Sequence, residues 1–72
     1  RIMWTSGKLN GYEFHVKHFE EGSVYGLNEG KISKLTISRD GRILVNYDRG
    51  WDILPLGEDV EKIYEYLLNL FN

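Results

Sequence analysis

The stretch Lys31-Ile32-Ser33-Lys34-Leu35-Thr36-Ile37-Ser38-Arg39-Asp40-Gly41-Arg42-Ile43-Leu44-Val45-Asn46-Tyr47-Asp48 alternates apolar and polar residues on both sides of an Asp-Gly turn signal. Alternation at period two marks a strand with one buried face, so the stretch predicts an antiparallel hairpin. Loop length then decides which side chains share a face, because a one-residue slip moves every side chain across the sheet. A two-residue Asp40-Gly41 loop sets Leu35 against Asn46 and Lys34 against Tyr47, mixing polar and apolar on each face. A three-residue loop with Gly41 in a left-handed bulge brings Ile37 opposite Ile43, Leu35 opposite Val45 and Ser33 opposite Tyr47. The second register gathers the apolar residues, and it is the one the pattern predicts.

The same logic applies to the segment around Leu9-Asn10-Gly11. A three-residue loop there pairs Trp4 with Val16 and Ser6 with Phe14 on an apolar face. Met3, Thr5, Glu13, His15 and Lys17 then share the other, mostly polar face. Two such hairpins describe an antiparallel sheet covered on one side only.

The cover follows in the chain. Val60, Ile63, Tyr64, Leu67, Leu68 and Phe71 recur at helical spacing. Pro55 and Gly57 precede them, and Glu58, Asp59 and Glu61 occupy the first turn, where the helix dipole favours negative charge. Glu58 and Lys62 form an i,i+4 pair in the favourable order. A helix of about 14 residues spans about 21 Å, enough to cross the strands. The predicted fold is α+β: an antiparallel four-stranded β-meander with one C-terminal α-helix packed on one face. Glu20 to Gly30 is less regular, with Gly22, Gly26 and Gly30 spaced around Val24, Tyr25 and Leu27. Its apolar content predicts a loop that folds back on the sheet or adds a short strand.

Seventy-two residues make one domain with a small core. Met3 is the only methionine, so the expectation is either a natural start there, with Arg1-Ile2 left over, or a fragment of something larger. The chain has no cysteine, so disulfides, thiolate metal sites and cysteine nucleophiles are excluded, and a cytoplasmic location is expected. No apolar run approaches the roughly 20 residues of a membrane span. A net charge of -2 argues against nucleic-acid binding driven by bulk electrostatics.

His15 and His18 stand three apart on a strand and so point to opposite faces, which rules them out as a shared metal pair. The glycines at 22, 26 and 30 match no phosphate-binding loop and lead into a strand rather than a helix. No nucleophile elbow is present and both histidines lie in one strand, so no enzyme, no cofactor and no metal are expected.

The segment Tyr47-Asp48-Arg49-Gly50-Trp51-Asp52 is the strongest candidate surface. It combines Tyr, Arg and Trp, the residue types that dominate binding hot spots. A structural reading competes with it: Trp51 fills the end of the core, Arg49 pairs with Asp48, Asp52 or a helix acid, and Gly50 supplies the bend. Tyr25 in the glycine-containing loop and Lys34 and Arg42 on the second hairpin complete the candidate binding set. The hairpin cations, Lys31, Lys34, Arg39, Arg42 and Arg49, form a local basic cluster, but stacked aromatics on adjacent strands are not expected beside them.

Gly22-Ser23-Val24-Tyr25-Gly26, Gly30-Lys31-Ile32-Ser33-Lys34-Leu35 and Tyr47-Asp48-Arg49-Gly50-Trp51-Asp52 together resemble a small protein family of prophages and mobile elements of Gram-positive bacteria. The resemblance runs through nearly the whole chain from Met3. It implies a stand-alone accessory protein and brings no activity, ligand or catalytic residue with it. The expectation is therefore a small non-enzymatic interaction protein acting on a protein partner. The alternative is a weak nucleic-acid-binding module that uses the basic second hairpin. Unpaired strand edges leave homo-oligomerisation open.

Overall fold

A computed structural model describes all 72 residues, Arg1–Asn72. Strands β1 (Ile2–Leu9), β2 (Tyr12–Phe19), β3 (Ile32–Arg39), β4 (Arg42–Asp48) and β5 (Trp51–Ile53) precede helix α1 (Glu58–Phe71). The strands form one antiparallel sheet in sequence order, β1-β2-β3-β4-β5. The α+β class, the meander and the single C-terminal helix match expectation. The sheet has five strands rather than four, because Trp51–Ile53 turns back and pairs Tyr47 with Trp51 and Asn46 with Ile53.

Both hairpin registers differ from expectation. Leu9 pairs with Tyr12, so the first loop has only two residues, Asn10 and Gly11. Their φ values of 50° and 83° are the double left-handed conformation of a type I′ turn, which suits the twist of the flanking strands. Thr5 therefore faces Val16, and Trp4 faces Lys17. Trp4 lies on the uncovered face, 59% exposed, and not on the apolar face predicted for it.

The second hairpin uses the same turn at Asp40 and Gly41, with φ values of 52° and 78°, and pairs Arg39 with Arg42. A register shift then intervenes, and Ile37 faces Val45 while Leu35 faces Tyr47. The extra residue is Leu44, and both Leu44 and Val45 pack toward the core. A β-bulge thus restores the apolar face by a route different from the predicted three-residue loop. Ile43, expected inside, faces out beside Ser38 and is exposed.

The core lies between the sheet and α1. Val16, Leu35, Ile37 and Val45 of the central strands are fully buried against Leu67 of the helix, together with Ile32 and Leu27. Tyr12, Phe14, Tyr47, Val60 and Ile63 close its margins. The segment Glu20 to Gly30 folds back, as one of the two predicted alternatives, and ends in a single 3-10 turn at Leu27–Glu29 rather than a strand. Leu27 drops into the core, and the Asn72 side chain seals the joint: its amide donates to the Leu27 carbonyl and its oxygen accepts from the Ile32 N–H, both at 3.0 Å. Close backbone approach explains Gly26, since a Cβ there would fall on the Gly30 carbonyl.

Candidate functional site

The sheet has two unlike faces. One carries α1. The other is open, and its side chains follow from the registers: Trp4, Ser6 and Lys8 from β1, Glu13, His15 and Lys17 from β2, Lys34 and Thr36 from β3, and Asn46 and Asp48 from β4. His15 lies on this open face and bonds Ser6 at 2.7 Å. His18 is buried on the other face, bonded to Thr5 at 3.0 Å and packed on Phe71 with ring centroids 4.8 Å apart. The two imidazoles point apart, as the strand spacing predicts. No group of three or more His, Asp or Glu side chains converges in metal-ligating geometry.

One end of the open face is built differently from the rest. The Lys17 ammonium lies 5.9 Å from the Trp4 ring and 5.8 Å from the Phe19 ring, within the range of cation–π attraction. Next to it, Lys17, Phe19, Ser23, Tyr25, Ser33 and Arg49 line a hollow of about 230 Å³. Across the hollow, the Arg49 guanidinium lies 5.7 Å from the Tyr25 ring. Lys34 stands opposite Lys17 in the register and is ion-paired with Asp48 at 3.7 Å. That pair is exposed and contributes little to stability. Three cations and three aromatics thus share one strip, with Asp48 as the acid beside them. The outer surface of α1 is acidic by contrast, with Glu58, Asp59, Glu61 and Glu65 against Lys62.

Three structural devices hold this strip in place. The Tyr47 hydroxyl, rising from the core, donates to the Tyr25 carbonyl at 3.0 Å and fixes the loop. The bulge at Ser33 of β3, opposite the Lys17-His18 step, lets the Ser33 hydroxyl donate to the Lys17 carbonyl at 3.4 Å. Arg49 is fixed by its backbone: its N–H donates to the Ser33 carbonyl at 2.9 Å, and its φ is 58°. Left-handed backbone costs a residue with a Cβ about 1 kcal/mol. The bend predicted for Gly50 falls instead on Arg49, since Gly50 has no positive φ.

The predicted site residues therefore divide. Arg49 and Tyr25 come together, with Lys34 near them. Arg49 makes no ion pair with Asp48, Asp52 or a helix acid; Asp48 holds Lys34, and Asp52 accepts a hydrogen bond from Asn46 at 2.9 Å. Trp51 belongs to the opposite face. Its ring meets Tyr47 edge-on at 5.2 Å and Tyr64 of α1 at 5.6 Å, and it stays 40% exposed. It caps the margin of the core rather than filling it. Arg42 begins β4, at the end of the strand away from Arg49, beside Arg39, Asp40 and Leu44. Trp4, Lys17 and Phe19 were not anticipated as site residues. The Asn10-Gly11 dipeptide carried the signal, because Asn-Gly strongly favours a two-residue turn and that turn puts Trp4 outside.

The Tyr64 phenol titrates above its ordinary value of 10.0. Burial pushes its phenol upward, the Asn28 side chain opposes this, and Glu65 and Tyr47 add to the rise.

Fold and face together define a small α+β domain whose helix covers one side of a five-stranded meander and leaves a cationic, aromatic strip on the other. The chain belongs to the family described as a domain of unknown function, DUF7678, which it matches over residues 3–72. No curated protein and no solved structure matches it.

Proposed function

We propose that the protein is a non-enzymatic binding module that engages an acidic segment of a protein partner through Trp4, Lys17, Phe19, Tyr25 and Arg49. The observation that carries this reading is the pairing of cations with aromatic rings, Lys17 with Trp4 and Phe19 and Arg49 with Tyr25, along the face the helix leaves open. Such pairs present flat apolar area and fixed positive charge together, the combination that anchors hot spots. The left-handed backbone at Arg49 supports the same reading. Asn10, Asn28, Glu29 and Asp40 also have positive φ, but Asn and Asp adopt it readily, and Glu29 is held in the 3-10 turn by its N–H bond to the Gly26 carbonyl at 2.9 Å. A long cationic side chain gains nothing from that conformation, so its presence at an exposed corner points to use of the guanidinium. An accessory role in a mobile element, as the sequence resemblance implies, fits a small module of this kind.

The test is capture of partners by the full chain, compared with Lys17→Ala and Arg49→Ala variants, each with and without nuclease. A protein retained by the wild type, lost by both variants and insensitive to nuclease supports the reading. Equal retention by all three chains contradicts it.

One observation favours a second reading. The register places Trp4 and Phe19 on the adjacent strands β1 and β2, with Lys17 between their rings. Aromatics beside cations, on which bases can stack, also suit single-stranded nucleic acid. Binding of this kind weakens steeply with added salt, and capture abolished by nuclease would select it.

A further inference from the structure

The two edges of the sheet are unequal. Strand β5 is only three residues long and Pro55 follows shortly after it. Strand β1 is eight residues long, pairs with β2 without a register shift, and contains one charged residue, Lys8, and no proline. Natural sheets blunt their edges with short strands, bulges, prolines or several charges. Strand β1 carries almost none of these devices.

Its free hydrogen-bonding groups can be identified. In a two-residue turn the flanking residues, Leu9 and Tyr12, are the hydrogen-bonded pair. Hydrogen-bonded and non-bonded pairs alternate along an antiparallel ladder. Gly7, Thr5 and Met3 therefore bond inward to β2, while Lys8, Ser6, Trp4 and Ile2 direct their N–H and C=O groups away from the sheet. These are also the residues whose side chains stand on the open face.

We propose that β1 pairs with β1 of a second copy, antiparallel about a two-fold axis at Thr5, to form one continuous sheet. In this register Ser6 faces Trp4 of the second copy and Lys8 faces its Ile2, so every outward donor and acceptor of the four residues is matched. Shifting either strand by two residues leaves an outward-facing residue unpaired. Between these pairs, Thr5 meets Thr5, and Met3 meets Gly7, whose side-chain position is covered by the Phe14 ring. No like charges stand opposite each other, and the solution is isologous, as a closed dimer requires. The open faces of the two copies become contiguous, so their cationic strips lie on one surface.

Sedimentation of the full chain from about 1 μM to about 1 mM, the range of weak association, tests the pairing. The apparent mass should rise from that of one chain, 8.5 kDa, toward twice that value. Ser6→Pro removes one outward N–H and no backbone bond of the hairpin, losing only the exposed side-chain bond to His15. It should therefore keep the folded far-ultraviolet spectrum and lose the dimer, whereas Ser6→Ala, which loses that side-chain bond alone, should keep both. Thr5→Cys, in a chain with no other cysteine, places two thiols across the axis at a separation a disulfide can span. It should cross-link under mild oxidation at least tenfold faster than Ser6→Cys, whose thiols are offset. A single-chain mass at about 1 mM, a dimer that survives Ser6→Pro, or equal cross-linking of the two cysteine variants overturns the proposal.

Discussion

The hydroxyl of Tyr47 donates a hydrogen bond to the backbone carbonyl of Tyr25 at 3.0 Å, across 22 positions of sequence. Through it a core residue of β4 holds the loop that carries one wall of the candidate site. Tyr47 is 6% exposed and Tyr25 is 64% exposed, so the bond runs from the packed interior to the candidate surface. Fold and site are joined at this point.

Tyr47→Phe keeps the ring, its edge contact with Trp51 and its burial, but leaves the Tyr25 carbonyl without this donor. Stability should fall by about 1 kcal/mol, the usual net worth of one such bond. Amide hydrogen exchange should accelerate from Ser23 to Gly30 and hold elsewhere. Uniform acceleration across the chain would show that the bond does not act locally on the loop.

Asn72→Ala removes both hydrogen bonds that tie the helix end to Leu27 and Ile32. The expected loss is about 1–3 kcal/mol, since a buried carbonyl and an N–H each lose a partner. Urea unfolding at constant slope measures it. A change under a few tenths of a kcal/mol would mean that water replaces the side chain without cost.

Trp51→Ala and Arg49→Gly should act in opposite ways. Trp51 loses its edge contacts with Tyr47 and Tyr64, and its half-buried ring predicts a loss of about 1–3 kcal/mol, less than for a fully buried aromatic. Arg49→Gly relaxes the left-handed backbone, so stability should hold within about 0.5 kcal/mol or rise slightly. A large loss at Arg49 would show that its guanidinium supports the fold.

Tyr64 makes stability depend on pH in the alkaline range. Burial raises its folded-state pKa above the ordinary 10.0, so above that pH the folded chain keeps a proton that the unfolded chain releases. The contribution is fully present below about pH 10 and is lost as pH rises through the folded-state value. Wild type should therefore lose stability faster than Tyr64→Phe above pH 10. Parallel curves would contradict a raised pKa.

Much of this architecture could be read in the chain. Helix α1 spans Glu58–Phe71, and its Val60, Ile63 and Leu67 face the sheet as their spacing predicts. Both turns sit at their Asn-Gly and Asp-Gly signals. Apolar matching and turn chemistry favour different registers in both hairpins, and the turn chemistry prevails. In the second hairpin the Leu44 bulge reconciles a two-residue turn with an apolar face, and no local pattern announces a bulge. In the first, the unreconciled choice put Trp4 inside and hid half of the site. Strand β5 is too short for its alternation to register. The Arg49–Tyr25 contact joins residues distant in sequence, through a left-handed corner of the kind that favours Gly, Asn or Asp and that an arginine beside Gly50 does not announce.

The proposed function divides the two faces, with Arg49 and Lys17 serving binding and Trp51 serving the fold. Partner capture by folded Lys17→Ala, Arg49→Gly and Trp51→Ala chains, at equal concentration and below the unfolding midpoint of each, tests it most directly. The account predicts that the Lys17 and Arg49 variants lose at least tenfold in retained partner while the Trp51 variant retains it at the wild-type level. Loss with Trp51→Ala and full retention with the other two would contradict it.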